Sequence, residues 1–384
     1  MTDIRNQSVR LGFVQLTDSA PLLMAQHLGI YQKYGLNVEL MPQPSWSTLR
    51  DRLKAGVLDF AQMLAPMPLA NRLGLSGSPE ELIAPMILSQ NGNAITLSND
   101  LVAQIKACNG IDTLPFPLNA NMLKAVIEYR KAHNLPQLCF ASVFHHSCHR
   151  YQLLEWINNA RISFDEIQFR VVPPLMMADS LKQGHVDGFC VGGPYNASLV
   201  RAGEGQTVLS SYDIWPDKLE KVMGTTESFY QASPEIVHAM CAAILDACEW
   251  LYHIPNRFEA ARTLARPEML NQALDEIAPS LLGSCLHSQD APPQIVPNYN
   301  RFSSPQRETD SQSTSKGARY NVNRPTLAQG TWLLGKMQQY DQLTHIQESE
   351  VIKCAEKAFR EDIFEHIVSA QQTMHLHTQS AGSW

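Results

Sequence analysis

The chain has 384 residues, 44% of them apolar and 17% charged, an ordinary globular composition long enough for two lobes. A formal net charge of −7 excludes a broad basic face, so nucleic acid is not expected as a direct partner. No stretch approaches the roughly 18 uninterrupted apolar residues of a membrane span, so no membrane insertion is expected.

The opening MTDIRNQSVRLGFVQL has no secretory apolar core, no twin arginine and no lipid-acceptor cysteine. The eight cysteines are scattered without CxxC spacing and fit reduced thiols used as small hydrophobes. Together these features give a cytoplasmic expectation. The run LGFVQL predicts a first strand. Asp18-Ser19 followed by Pro21 predicts a capped helix through SAPLLMAQHLGIYQKYG, ended by Gly35 before a second strand, LNVELM. Ser45 or Ser47 caps the next helix, STLRDRLKAG.

The phrase that closes that helix, LKAGVLD at residues 53–59, returns as LKQGHVD at residues 181–187. The flanks echo too: LCFASVF, the turn HHS, the helical CHRYQLLEWINNA and the strand-like FDEIQFRVV precede the second copy. Both halves read strand, helix, strand, helix, strand, which implies parallel βαβ units and an α/β fold. NGNAITL at residues 91–97 is placed to carry the chain into a second lobe, and GQTVLSSY at residues 205–212 to bring it back. The expected division is lobe 1 at 8–96 and 209–287 and lobe 2 at 97–208. A polar excursion at 288–325 is expected to be disordered around 303–318. C-terminal helices at 326–370 are expected to pack on lobe 1, ahead of a loose tail at 371–384.

Several residues could carry chemistry. His145, Cys148 and His149 are metal-capable, but no second cluster completes a ligand set, so no metal site is expected. The same run starts a helix after a strand, where the free N–H groups of Ser147, Cys148 and His149 form an anion site at a sheet's carboxyl edge; packing is the competing reading. Trp46 holds the matching edge of the first lobe and fits either a ligand platform or a core aromatic. Asn93 is either a ligand amide or a turn residue. Gly192 in CVGGPYN lets backbone approach a guest. No GxSxG, Walker loop, HExxH or GxGxxG is present, so neither an enzyme nor a cofactor is expected.

LTDSAPLLMAQHLGIYQKYGLNVEL, PSWSTLRDRL, LAPMP, DGFCVGGPYN and DIWPDKLEKVMG together resemble the nitrate-binding proteins of the NrtA/CmpA class, whose members include cytoplasmic NasS-type nitrate/nitrite sensors. The resemblance covers about residues 8–285. It implies a two-lobed type II periplasmic-binding-protein clamshell with two crossing strands. It also implies a nitrate or nitrite ligand held by Trp46, Asn93 (where the family has Gln), His149 and the turn His146-Ser147. Pro216 follows Ile214-Trp215 where the family has a Lys, leaving Lys218 and Lys221 as candidate replacements. Likeness to the NasS type implies regulation of nitrate assimilation through a partner, an RNA-binding antiterminator of the NasT type. The transport alternative is the substrate-binding component of a nitrate or bicarbonate ABC transporter.

Overall fold

The computed structural model describes residues 7–75, 77–304, 322–340, 343 and 347–370. Lobe 1 is built on β1 (Gln7–Phe13), β2 (Leu36–Pro42), β3 (Phe60–Leu64) and β4 (Leu82–Asn91). Lobe 2 holds β5 (Asn93–Ser98), β6 (Leu138–Ser142), β7 (Ile167–Val171), β8 (Gly188–Gly192) and β9 (Gly205–Ser210). The chain then returns to lobe 1 as β10 (Leu219–Thr226), followed by the short β11 (Ser284–Cys285), β12 (Gln294–Ile295) and β13 (Asn300–Arg301).

One sheet runs β13-β4-β10-β3-β1-β2 and the other β7-β6-β8-β5-β9. In each, three parallel strands are joined by one antiparallel strand that arrives from the opposite lobe: β10 beside β3, and β5 beside β8. The two-lobed clamshell implied by the sequence resemblance is therefore the fold the chain adopts. Its first crossing falls at Gly92, a few residues ahead of the expected 96/97 boundary, because Asn93 already pairs with Gly192 in the second sheet. Gly92 has φ 101°, a left-handed value that favours glycine, and a β-carbon there would lie 2.4 Å from Asn300 Oδ1.

The doubled phrase marks one structural corner in both lobes. Gly56 and Gly184 have φ of 67° and 69°, the left-handed conformation that ends a helix. The Asp that follows opens the third strand and clamps the first. Asp59 accepts from Arg10 N at 2.8 Å and donates its own N–H to Arg10 O at 2.9 Å. Asp187 does the same with Cys139, at 2.8 and 2.7 Å. Each carboxylate also takes a guanidinium at 2.7 Å, Arg10 in lobe 1 and Arg130 in lobe 2.

Three local expectations are corrected. The helix expected over residues 19–35 is split into a 3-10 turn Thr17–Ser19 and helices Ala20–His27 and Ile30–Lys33, because Gly29 takes φ 69°. Neither Asp18 nor Ser19 caps: the Ser19 hydroxyl donates to Leu16 O, and Asp18 turns into the interlobe seam. Ser45 does cap helix Trp46–Lys54, accepting from Thr48 N. The last expected helix is cut into Glu348–Ala358 and residues 361–370, where the backbone of Phe359 bridges Ala84 of β4.

The ends of the polar excursion are tied down, with Phe302 and Asn323 buried and the Asn323 amide donating to Ile87 O and Phe302 O. Most of the expected disordered span (305–318) and the tail 371–384 lie outside the described residues. Helix Leu327–Gln339, with a Thr326/Gln329 capping box, reaches both lobes. Its Lys336 pairs with Glu155 of lobe 2 at 2.7 Å, Trp332 packs edge-on to Trp215 at 4.9 Å, and Tyr340 stacks on Tyr151.

No neighbouring atom lies within 4 Å of a β-carbon built on Gly56 or Gly184, so the cost of substitution there is confined to the backbone. Gly56→Ala and Gly184→Ala are each expected to lower unfolding stability by about 1–2 kcal/mol. Sitting in different lobes, they are expected to add in the double variant, as read by denaturant titration.

Candidate functional site

The two lobes meet around one buried ammonium group. Lys221 is fully buried and pairs with Asp18 Oδ2 at 2.8 Å and Glu220 Oε1 at 3.0 Å; both carboxyls are themselves buried. Successive strand residues normally face opposite sides. Here β10 carries irregular register against β4 on either side of Lys221, a bulge that lets Glu220 and Lys221 reach the same seam. Gln62 of β3 fixes Asp18 from behind, donating to Oδ1 at 2.8 Å while its carbonyl accepts from Val14 N.

Lobe 1 adds Trp46, the first residue of its helix, fully buried with its ring 5.6 Å from Lys221 Nζ. Lobe 2 adds His149 and Gln152 from helix Cys148–Asn159, and Asn93 from β5. His149 Nδ1 lies 3.4 Å from Glu220 Oε1. Gln152 donates to Glu220 Oε2 at 3.5 Å and accepts from Asn93 Nδ2 at 3.0 Å. Gly192 packs against the same groups: a β-carbon on it would lie 3.4 Å from Asp18 Oδ2 and 3.5 Å from Asn93 Oδ1. The backbone of Thr17 donates to Gly193 O at 2.8 Å and pins the lobes together beside the site.

The seam carries unmatched polar atoms. Trp46 Nε1, Asn93 Oδ1 and both His149 ring nitrogens are buried without a hydrogen-bond partner among the described residues. Buried polar groups are nearly always satisfied, so such a cluster points to a guest that satisfies them. Burial, and then the charge of Lys221, hold the His149 pKa well below the usual histidine value, so the imidazole is neutral. Burial pulls the Lys221 ammonium down, but Asp18 and Glu220 outweigh it and leave its pKa raised. Burial raises the Glu220 carboxyl, with Lys221 opposing. Cys148 and Cys190 are neutral thiols, raised chiefly by burial.

The residues singled out in the sequence separate into two groups. Trp46, Asn93, His149 and Gly192 come together in the seam. Ser147 is the helix cap, its hydroxyl donating to Phe144 O and accepting from Arg150 N. Cys148 Sγ faces Leu219 O across the lobes at 3.6 Å. His146 is half-buried and packs edge-on to Phe144, and His145 is exposed. Among the described residues no group of three His, Cys, Asp or Glu side chains could hold a metal ion. No described helix is long and apolar enough to cross a membrane. Of the two candidate cations, Lys221 is the one in the seam; Lys218 lies over the Trp332 ring instead. Asp18, Gln62, Gln152 and Glu220 were missed. Only Glu220-Lys221 had a visible signature, a charged pair inside an otherwise apolar strand.

Residues 3–265 match the NMT1-like family. The chain is 30% identical over 358 residues to the nitrate import ATP-binding protein NrtC of Synechocystis sp., covering 92% of this chain and 49% of that protein. It is 30% identical over 280 residues to the nitrate/nitrite binding protein NrtA of Nostoc sp., covering 71% of this chain and 60% of that one. The chain thus spans about half the length of the first curated relatives it matches. Among solved structures, the periplasmic nitrate-binding protein NrtA from Synechocystis superposes with a TM-score of 0.82 at 23% identity, over 94% of this chain and 88% of that one. The ligand-binding component of an ABC-type import system from Staphylococcus aureus gives 0.67 at 14% identity, over 94% and 98%.

Two outcomes follow for the folded protein. Lys221→Met leaves two carboxyls facing each other in the interior and is expected to cost about 3–5 kcal/mol of stability near neutral pH, measured by urea unfolding. His149 stays neutral in the fold but takes a proton when unfolded, so its contribution is full above the unfolded value of about 6.5 and is lost as pH falls below it. Relative to wild type, the acid limb of the stability curve in His149→Gln is expected to be shallower by up to about 1.4 kcal/mol per pH unit.

Proposed function

This chain belongs to the NMT1-like family, and on that premise we propose that it binds a small oxyanion of the nitrate/nitrite class in the seam between its lobes. The observation that carries the reading is the set of unmatched groups around Lys221: the Trp46 indole N–H and the neutral His149 ring, beside the first turn of helix Cys148–Asn159. Lys221 has three N–H donors, one given to Glu220, and its ammonium lies 2.8 Å from Asp18 Oδ2. The first-turn N–H groups of a helix add fixed donors and a partial positive charge.

The energies suffice. About four charge-assisted hydrogen bonds at about 1.5–3 kcal/mol each give a gross stabilisation of about 6–12 kcal/mol. Ordering and desolvation subtract from this, and a net of about −8 kcal/mol corresponds to a Kd near 1 μM. The relatives' printed names, nitrate and nitrite binding and nitrate import, support the ligand class.

Ligand binding across a hinge shifts a two-state equilibrium that another protein reads. One reader is a transporter: the match to half of an import ATP-binding protein favours a substrate-binding module in, or alongside, such an assembly. The other reader, suggested by the NasS-type resemblance, is an RNA-binding antiterminator in the cytoplasm that the anion releases. Nitrate uptake by cells lacking the gene separates the two. Impaired uptake supports the transport role. Normal uptake, with nitrate-dependent dissociation of a purified antiterminator complex, supports the sensor.

Binding itself is tested by thermal unfolding with nitrate and nitrite. At a hundredfold excess over Kd the expected stabilisation is about 2.7 kcal/mol. Trp46→Ala and His149→Ala are expected to abolish it at the same concentration, and no shift with either anion in ligand-free wild type contradicts the reading.

A further inference from the structure

The site described above holds two carboxyls and one ammonium, an unexpected balance for a receptor of anions. Glu220 is fully buried, with Oε1 3.0 Å from Lys221 Nζ and 3.4 Å from His149 Nδ1, and Oε2 3.5 Å from Gln152 Nε2. A carboxylate is a planar head of two oxygens on one trigonal atom. Nitrite has the same outline, nitrate adds a third oxygen, and bicarbonate adds a third oxygen bearing hydrogen. Glu220 thus presents to the seam's donors the same chemistry that the guest would present.

We infer that Glu220 is the specificity-determining residue of this site, and that an oxyanion without a hydrogen of its own binds together with one proton, taken up by Glu220. The inference rests on the oxyanion reading. The other charged and titratable groups facing Glu220 are Lys221 on its own strand, Asp18 from the turn before the first helix, Cys148 and His149 at the start of the lobe 2 helix, and Cys190 on β8. The thiols and the imidazole are neutral, so the local charge is set by Lys221 against the two carboxyls. Nitrate arriving beside an ionised Glu220 meets a like charge in a buried site. With Glu220 protonated that repulsion is gone and the anion gains an O–H donor. The balance is a carboxylate, a proton and nitrate giving a carboxylic acid hydrogen-bonded to nitrate, with no covalent bond between nitrogen or oxygen atoms changed. Burial, which already favours the uncharged carboxyl, works in the same direction. Bicarbonate differs, because its own O–H can donate to the ionised Glu220, so it needs no added proton.

The test is titration calorimetry of the intact chain with nitrate from about pH 6 to about pH 9, in pairs of buffers that differ in ionisation heat. Wild type is expected to take up close to one proton per nitrate on the alkaline limb, with affinity falling about tenfold per pH unit there. Glu220→Gln, its fold checked by thermal unfolding, is expected to bind nitrate without proton uptake and with a flat pH profile. Bicarbonate at alkaline pH is expected to bind wild type without proton uptake. Nitrate binding by wild type with no proton exchange anywhere in the range, or the same pH profile in Glu220→Gln, overturns this inference and leaves the oxyanion reading standing. Failure of nitrate, nitrite and bicarbonate to bind either protein at any pH overturns both.

Discussion

A single buried ammonium, shared between carboxyls that approach from different parts of the chain, sets the terms for the rest of the molecule. Lys221 lies in a strand of lobe 1, yet the groups around its partner Glu220 come from lobe 2, through His149 and Gln152. Isolated charges are expensive to bury, and this one is tolerated because Asp18 and Glu220 lie within 3.0 Å of it. Two unit charges about 4 Å apart interact by about 4 kcal/mol at the effective dielectric of a partly polar interior. The local count of charges therefore decides which guest the seam accepts.

That arrangement depends on a fold in which each lobe receives one strand from the other crossing. β5 and β10 both enter as reversed strands beside the third parallel strand of their sheets, which brings Asn93 and Lys221 to the same interface. The Lys-x-Gly corners, clamped by Asp59 and Asp187, hold the third strands to the first and so fix where β3 and β8 deliver Gln62 and Gly192. Helix Leu327–Gln339 then spans the two lobes from outside. Its contact to Glu155 falls on the helix that carries His149, so any motion of that helix relative to lobe 1 must be accommodated there.

Much of this was legible in the sequence where the determinants are local. The Ser45 cap, the left-handed glycines and the alternation of strands and helices each need only a short stretch of chain to be read. Trp46 and His149 are legible because helix starts after strands lie at one edge of a parallel sheet, and Asn93 through the family resemblance. What escaped was decided by contacts distant in sequence. Asp18 looks like a helix cap until Lys221 claims it. Gln62 and Gln152 look like ordinary polar residues until the lobes are assembled. The charged pair Glu220-Lys221 is visible inside its strand, but the bulge that turns both side chains to one face is not, so the position after Trp215 draws attention first and Lys221 is only one of two alternatives. The break at Phe359 is likewise set by its pairing with Ala84.

The central claim is that the seam around Lys221 receives a small oxyanion, and a crystal structure grown with saturating nitrate tests it most directly. The account predicts a planar anion between the Trp46 indole, the His149 ring and Lys221 Nζ, with the side chain of Glu220 displaced from its present contacts or hydrogen-bonded to the guest. Nitrate absent from the seam at saturating concentration, or bound only on the outer surface, would contradict it.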